Sequence, residues 1–370
     1  GDCQSAQEVQ STTFLDSLHL TASGQAVLAQ FVRGSSLTQA TAGTVYATAP
    51  KTALLAVDGH NTVIDSRLRQ VRGGLRGPSF LRRQAGAESR GGRDGVGKDF
   101  AVFGYVNHNR GDRPADTGQA GFDYNQTLVT FGVDYEINDA LLVGVAAGYG
   151  ATNTHLDGAL GNGDVDSKLL SFFGTLEKAG FYGDLTTTVS LDDYDYDRRA
   201  GGNLGDAQAD ANGQTFSFAL NGGYTLDRGP YSFGPTAGVR ELDTEIEEFD
   251  EDGAGALNVE VEDLNSQAVI GSIGAQAGAR YEFGGGNVVA PQLGLSYEHD
   301  FKDDTIDVTT TLNGNRTSTR AAIGREDAVI LDGGVTVGTT YGLSASLGGR
   351  TSLARDGSDY GVRARLRYSF

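Results

Sequence analysis

The chain has 370 residues with 48 Asp and Glu against 29 Lys and Arg, and its formal net charge of −19 argues against nucleic acid as the main partner. A single cysteine, Cys3, excludes a disulfide scaffold and a multi-thiolate zinc site, and no apolar run approaches the ~18–20 residues of a membrane helix. Glycine, at 55 residues, is about twice its usual ~7% share without any collagen-like period, and Met is absent even at position 1, so a processed chain or the C-terminal part of a longer one is expected.

Residues 14–30, FLDSLHLTASGQAVLAQ, carry the one clear chemical signal. Asp16 and His19 stand as D-x-x-H, and a carboxylate beside a histidine suits general-base work because it fixes the tautomer and stabilises imidazolium. A capped surface turn would give the same short pattern. The longer string D-x-x-H-x-T-x-x-G, completed by Thr21 and Gly24, is more specific. Ser17 lies in Leu15-Asp16-Ser17-Leu18, a partial mimic of a Gly-Asp-Ser-Leu nucleophile motif, but the Gly is missing and no buried strand leads into it.

Residues 60–76 space Val63, Ile64, Leu68, Val71 and Leu75 at three- and four-residue steps, which predicts a helix ringed by Arg67, Arg69, Arg72 and Arg76. Gly73–Gly74 and Pro78 would end it. The charge is uneven: residues 1–94 carry a net +3, the remainder −22. A basic helix inside an acidic lumen fits that asymmetry, with Asp134, Glu136, Asp184 and Glu298 as expected counter-ions and Arg363, Arg365 and Arg367 pairing with other wall carboxylates. A surface helix with a basic linker is the plainer alternative.

From residue 100 onward the apolar residues alternate with polar or small ones, as in Val129, Phe131, Val133, Tyr135 and Ile137, or Val362, Ala364, Leu366, Tyr368 and Phe370. Twelve strands are predicted, near 100–107, 127–137, 141–151, 167–177, 181–192, 214–226, 231–242, 266–283, 288–299, 327–339, 343–353 and 361–370. Runs of about 10 residues exceed the ~5–6 of soluble strands and match the ~9–11 of membrane-spanning ones. Every second gap is short, and most of the others are long and polar, such as 193–213, 243–265 and 300–326. Even strand number and one-sided loops predict an all-β, 12-stranded antiparallel transmembrane β-barrel with an N-terminal helical linker in the lumen; a soluble barrel is the alternative. Tyr149, Tyr224, Tyr297, Tyr368 and Phe370 would mark the lipid–water boundaries. The acidic clusters 192–197, 245–252 and 300–304 fall on the predicted long loops, read as solvated loops or as holders of divalent cations shared with lipopolysaccharide phosphates. His60, His108, His155 and His299 show no metal-ligand spacing and are read as loop and rim residues. No metal and no cofactor are expected.

On these residues the chain resembles the GDSL-type esterase autotransporters, whose catalytic passenger ends in D-x-x-H-P-T-x-x-G. Asp16, His19, Thr21 and Gly24 match, while Leu20 stands where Pro is usual. The string YEHDFKDDT at 297–305 and the terminal Phe370 are similar to that family's barrel. The resemblance implies three regions: a passenger remnant over 1–57, a linker over 58–95 and a barrel over 96–370. It implies that Asp16 and His19 belong to a Ser-His-Asp triad whose Ser lies upstream of this chain, so the chain alone is expected to be inactive on esters. It also implies outer-membrane location, contact with lipid and lipopolysaccharide, insertion by a barrel-assembly machinery through a signal at Tyr368 and Phe370, an ester substrate, and a monomer. No Asn pair of the kind at which many autotransporters sever the passenger is present (Asn61 stands alone), so the passenger is expected to be retained. A non-enzymatic passenger such as an adhesin, or a porin-like channel, is the alternative; residues 1–57 show no repeats.

Overall fold

The computed structural model describes residues 25, 36–72, 100–200, 206–284, 287–302, 305–322, 327–339, 341–354 and 357–369. Twelve long strands run antiparallel: β1 (Phe100–Arg113), β2 (Phe122–Glu136), β3 (Leu141–Leu156), β4 (Gly161–Lys178), β5 (Phe181–Arg199), β6 (Asp206–Tyr224), β7 (Tyr231–Ile246), β8 (Leu264–Ala279), β9 (Asn287–Asp300), β10 (Ala328–Gly338), β11 (Leu343–Ala354) and β12 (Gly357–Ser369). Each pairs with its sequence neighbours, and β1 pairs with β12 from Ala101↔Ser369 to Asp112↔Ser358. The sheet therefore closes on itself and leaves no open edge in the wall, which is what a sheet surrounded by hydrocarbon requires.

The outward face explains why closure in lipid is the stable outcome. Along β5, Phe181, Leu185, Val189 and Leu191 are exposed, and along β6 Phe216, Phe218 and Leu220. Leu185, Leu220 and Val239 lie side by side across three strands. Phe181 to Leu191 covers ~34 Å of strand, or ~25 Å of height at a usual ~40° tilt, the thickness of a barrel's apolar band. Exposed aromatic rings stand at both edges, Tyr149, Tyr297 and Tyr360 at one and Phe181, Tyr231, Tyr281 and Tyr368 at the other. Leu220→Arg, at mid-band, is expected to cost about 2–4 kcal/mol in denaturant unfolding from vesicles, whereas Gln214→Arg, six residues nearer the long-loop rim, should cost about 0–1 kcal/mol. Equal costs would show that this face is not in lipid.

Most strands are longer than the sequence pattern predicts, chiefly toward the long-loop rim, whereas β8 and β10 are shorter than the predicted 266–283 and 327–339. β5 continues to Arg199 and β6 begins at Asp206, so the acidic run 192–197 is strand rather than loop. There Asp193, Asp195 and Asp197 face outward above the apolar band while Asp192 points inward. Cross-strand register sets Asp195 against Asp164 and Asp210. Partial burial, then the charges of Asp210, Asp197 and Asp164, push the Asp195 carboxyl up. A carboxyl raised by folding disfavours the fold once ionised and has no effect where both states are protonated. Asp195→Asn should therefore raise the melting temperature slightly at neutral pH, with the gain vanishing below the carboxylate range.

Inside the barrel stands one helix, α1 (Ala49–Arg72), preceded by a helical segment over 36–46. Pro50 is tolerated in the first turn, where its missing N–H has no helical partner, and Arg69 and Arg72 occupy the last turn, where the helix dipole favours cations. The helix begins eleven residues before the predicted His60. Buried on nearly every side, it carries polar groups all round. On one flank Val63, Ile64, Leu68 and Val71 pack on Phe103, Tyr105, Leu142, Ala146 and Phe173; higher up, Leu54 and Val57 meet Leu128, Leu169, Leu242, Ala268 and Ile270.

Candidate functional site: the occupied lumen

Three arginines of α1 reach three different parts of the wall. Arg67 makes a two-pronged pair with Asp134 on β2, Nε to Oδ2 at 2.7 Å and Nη2 to Oδ1 at 2.8 Å, with side-chain exposures of 0% and 2%. Arg69 donates from Nη2 to Asp332 Oδ1 on β10 at 2.8 Å, and Arg72 from Nη1 to Asp184 Oδ2 on β5 at 2.5 Å while lying 3.9 Å from the Tyr182 ring centroid. In return the wall's Arg240 comes within 3.2 Å of Asp58 on the helix and 3.7 Å of Glu298. Such pairs offset their own desolvation only when the geometry is good, so they set the height and rotation of the helix more than they add net stability. Two sequence-predicted counter-ions, Asp134 and Asp184, stand opposite these arginines; Glu298 faces Arg240 instead. Asp332, Asp58 and Arg240 were not anticipated, although the two-residue period places Asp332 on the inner face between Ile330 and Gly334.

The last strand corrects one expectation. Arg363 donates to Asp332 Oδ2 at 2.6 Å, so Asp332 joins helix and wall. Arg365, however, is buried against Tyr105, its Nη1 3.4 Å from the phenol oxygen and its guanidinium 5.6 Å from the ring centroid, rather than against a carboxylate.

His60 also departs from the loop-and-rim reading. His60 is fully buried on α1 and its Nδ1 lies 3.0 Å from Thr130 Oγ1. Gly148 makes room for it: a Cβ there would stand 2.6 Å from His60 Nδ1. His108, His155 and His299 lie on barrel strands, and His299 Nδ1 is 2.6 Å from Asp327 Oδ1. Asn61 is tied into the wall, its Nδ2 donating to Ser217 and its Oδ1 accepting from Thr188. Among the described residues no three His, Cys, Asp or Glu side chains form a metal-ligand group. Asp16, Ser17, His19, Arg76 and Phe370 lie outside the described residues, whereas Tyr368 is described and pairs across to Val102 and Leu343.

The helix does not fill the lumen evenly. It leans on β1–β5, whose inner faces it buries; opposite, Gly234, Thr236, Gly238, Ser272, Gly274, Gln276, Gly294 and Ser296 stay partly accessible. A cavity of about 140 Å³ lies there, lined by Asn61, Asp65, Arg72, Asp184, Arg240 and Asp332 among others. On this side the lumen is a wall of mostly small and polar side chains around one length of polypeptide. What it supplies is a closed conduit that holds a single chain and crosses lipid.

A closed twelve-stranded barrel whose own N-terminal helix passes through it defines a translocator of the outer membrane. The Autotransporter beta-domain family model matches residues 102–350, and the chain belongs to that family. Similar solved structures include the translocator domain of the autotransporter NalP from Neisseria meningitidis (14% identity, 84% of this chain and 98% of that one, TM-score 0.59) and the β domain of the Bordetella autotransporter BrkA (19%, 73% and 99%, TM-score 0.57). In sequence, the esterase EstA of Pseudomonas aeruginosa is 26% identical over 214 residues, as is that of Pseudomonas putida. That match takes in 55% of this chain and 32% of the relative, so the chain spans about a third of the curated relatives' length. The short-turn rim, where α1 ends and β1 begins, is thus periplasmic, and the long-loop rim faces outside.

Proposed function

We propose that this barrel anchors a GDSL-type serine esterase at the cell surface and that the chain holds the end of that enzyme. The single observation carrying this reading is D-x-x-H-x-T-x-x-G at Asp16–Gly24 lying ahead of an autotransporter barrel in a chain similar in sequence to esterase EstA. The passenger remnant falls within 1–57, ahead of the helical segment that starts at 36; the linker extends to 95 and the barrel takes 96–370. Asp16 orients His19, His19 takes the proton of a Ser supplied by the upstream region, and that Ser attacks the ester carbonyl to give an acyl-enzyme that water hydrolyses. The barrel is a monomer, and Tyr368 and Phe370 at the C-terminus are read by the assembly machinery. The passenger stays attached.

Cells displaying the full-length protein should hydrolyse a p-nitrophenyl ester. External protease should remove that activity and leave the barrel in the membrane. The 370-residue chain alone should have none, and hydrolysis by it that disappears in Ser17→Ala would overturn the assignment of the nucleophile. Passenger found free in the culture medium would overturn retention, particles with more than one barrel in detergent would overturn the monomer, and undiminished insertion after loss of Phe370 would overturn the signal.

A further inference from the structure

Above the apolar band the barrel changes character. Residues 36–48 meet a four-piece sheet built from loops, in which 249–252 pairs with 260–261, 260–261 with 305–312, and 305–312 with 315–322. Tyr46 is fully buried there; its hydroxyl donates to Glu251 Oε1 at 2.5 Å, and its ring packs edge-on to Phe249 and Tyr196. Arg198 of β5 holds both oxygens of Glu251, at 2.5 and 2.6 Å, with neither side chain exposed. Burial first, and then Glu251, push the Tyr46 phenol well above its ordinary value, so it remains a donor at any physiological pH. Gln39 donates to the carbonyl oxygens of Thr310 and Asn315 and accepts from Thr317, while Ala120 N–H donates to Thr44 O. The space beneath is apolar and filled, by Ala42, Val45, Val261, Ile306, Val308 and Leu312 among others.

The lower lumen offers no comparable barrier. The cavity of about 140 Å³ beside α1 shares Arg69, Arg72 and Asp332 with one of about 30 Å³ near the periplasmic rim. It shares Thr62 and Arg350 with one of about 40 Å³ that climbs to Leu55 and Tyr124. The lane beside the helix, from the periplasmic end to the underside of the packed core, is thus bordered by polar and charged side chains in three cavities that share lining residues.

We infer that the pore is sealed by this outer cap, with residues 36–48 as its central element, and not by the helix in the lumen. A dry, close-packed core excludes water and ions in a way that a polar lane lined by charged side chains does not. Because residues 36–48 lie upstream of the lumen helix, they supply the cap from the exported side. The chain thus closes its own pore once that segment has emerged.

The test is ion conductance of the 370-residue chain in planar bilayers with the lumen helix held in place. A Cβ at Gly150 would lie 3.6 Å from the Ala56 Cβ, within disulfide range, so Ala56→Cys with Gly150→Cys, in a Cys3→Ser background, fixes α1 to β3 on oxidation. The locked parent should conduct at background level. Adding Arg198→Ala, or replacing 305–322 by a short Gly-Ser link, should raise conductance several-fold although the helix cannot leave. Two cap changes of different kind guard against one that fails to insert. Locked cap variants as tight as the locked parent would overturn the inference, and so would a leak that appears only when the disulfide is reduced.

Discussion

Arg67→Ala is expected to free the lumen helix. The substitution takes the Arg67 guanidinium away from Asp134 in the dry flank between α1 and β2, and removing one partner of a buried pair costs about 3–5 kcal/mol. Most of that penalty falls on the helix-in state, because a withdrawn helix lets water reach Asp134. Hydrogen exchange of α1 amides should accelerate by roughly 10²–10³-fold, the same energy expressed as an opening equilibrium. Arg67→Met with Asp134→Leu should return most of the protection, since an apolar pair of similar volume neither repels nor demands water. Arg72→Ala should act more weakly, as Arg72 also rests on the Tyr182 ring and sits in the fraying last turn. If α1 protection in Arg67→Ala equals that of the parent, the pair does not hold the helix.

The parts of this architecture that were legible in the sequence are those imposed by lipid. Hydrocarbon on one side of a sheet demands apolar residues at every second position, so the strand count and the short turns follow from the pattern alone. Where the wall rises out of the band, that demand stops while the hydrogen-bond ladder continues. β5 runs on to Arg199 with Asp193, Asp195 and Asp197 facing water, which reads as loop. The hairpin 305–322 was hidden in the same way, although Asn313 and Gly314, at φ 50° and 77°, form a turn of the kind that favours Asn-Gly. α1 was only half visible because a helix buried all round by a polar wall has no apolar stripe; just the flank from Val63 to Val71 keeps one. Arg67 and Arg72 could be picked out as lumen cations, and Asp134 and Asp184 as wall anions. Which pairs with which is a matter of register between elements 67 and 112 residues apart, and no local spacing carries that information. The cap fell outside both kinds of signal: Tyr46, Arg198 and Glu251 come from three distant segments, and although the acidic run 245–252 stands out, nothing in it points to Tyr46 or Arg198.

The largest effect belongs to the exported end. In the full-length protein His19→Ala should lower kcat on a p-nitrophenyl ester by about 10⁴–10⁶-fold with little change in KM, because the base acts on the proton of the nucleophile and not on the bound ester. Asp16→Asn should lose about 10⁴-fold, since an amide in place of the carboxylate favours the wrong imidazole tautomer. Activity of the parent should fall on acidification, because a protonated His19 can no longer accept. Ser17→Ala should leave all of these unchanged. The barrel provides a control within each molecule: α1 and the cap share no residue with this motif, so every variant should insert and resist protease as the parent does. An ester hydrolase that tolerates His19→Ala would place the catalytic base elsewhere and reduce D-x-x-H-x-T-x-x-G to a capped turn.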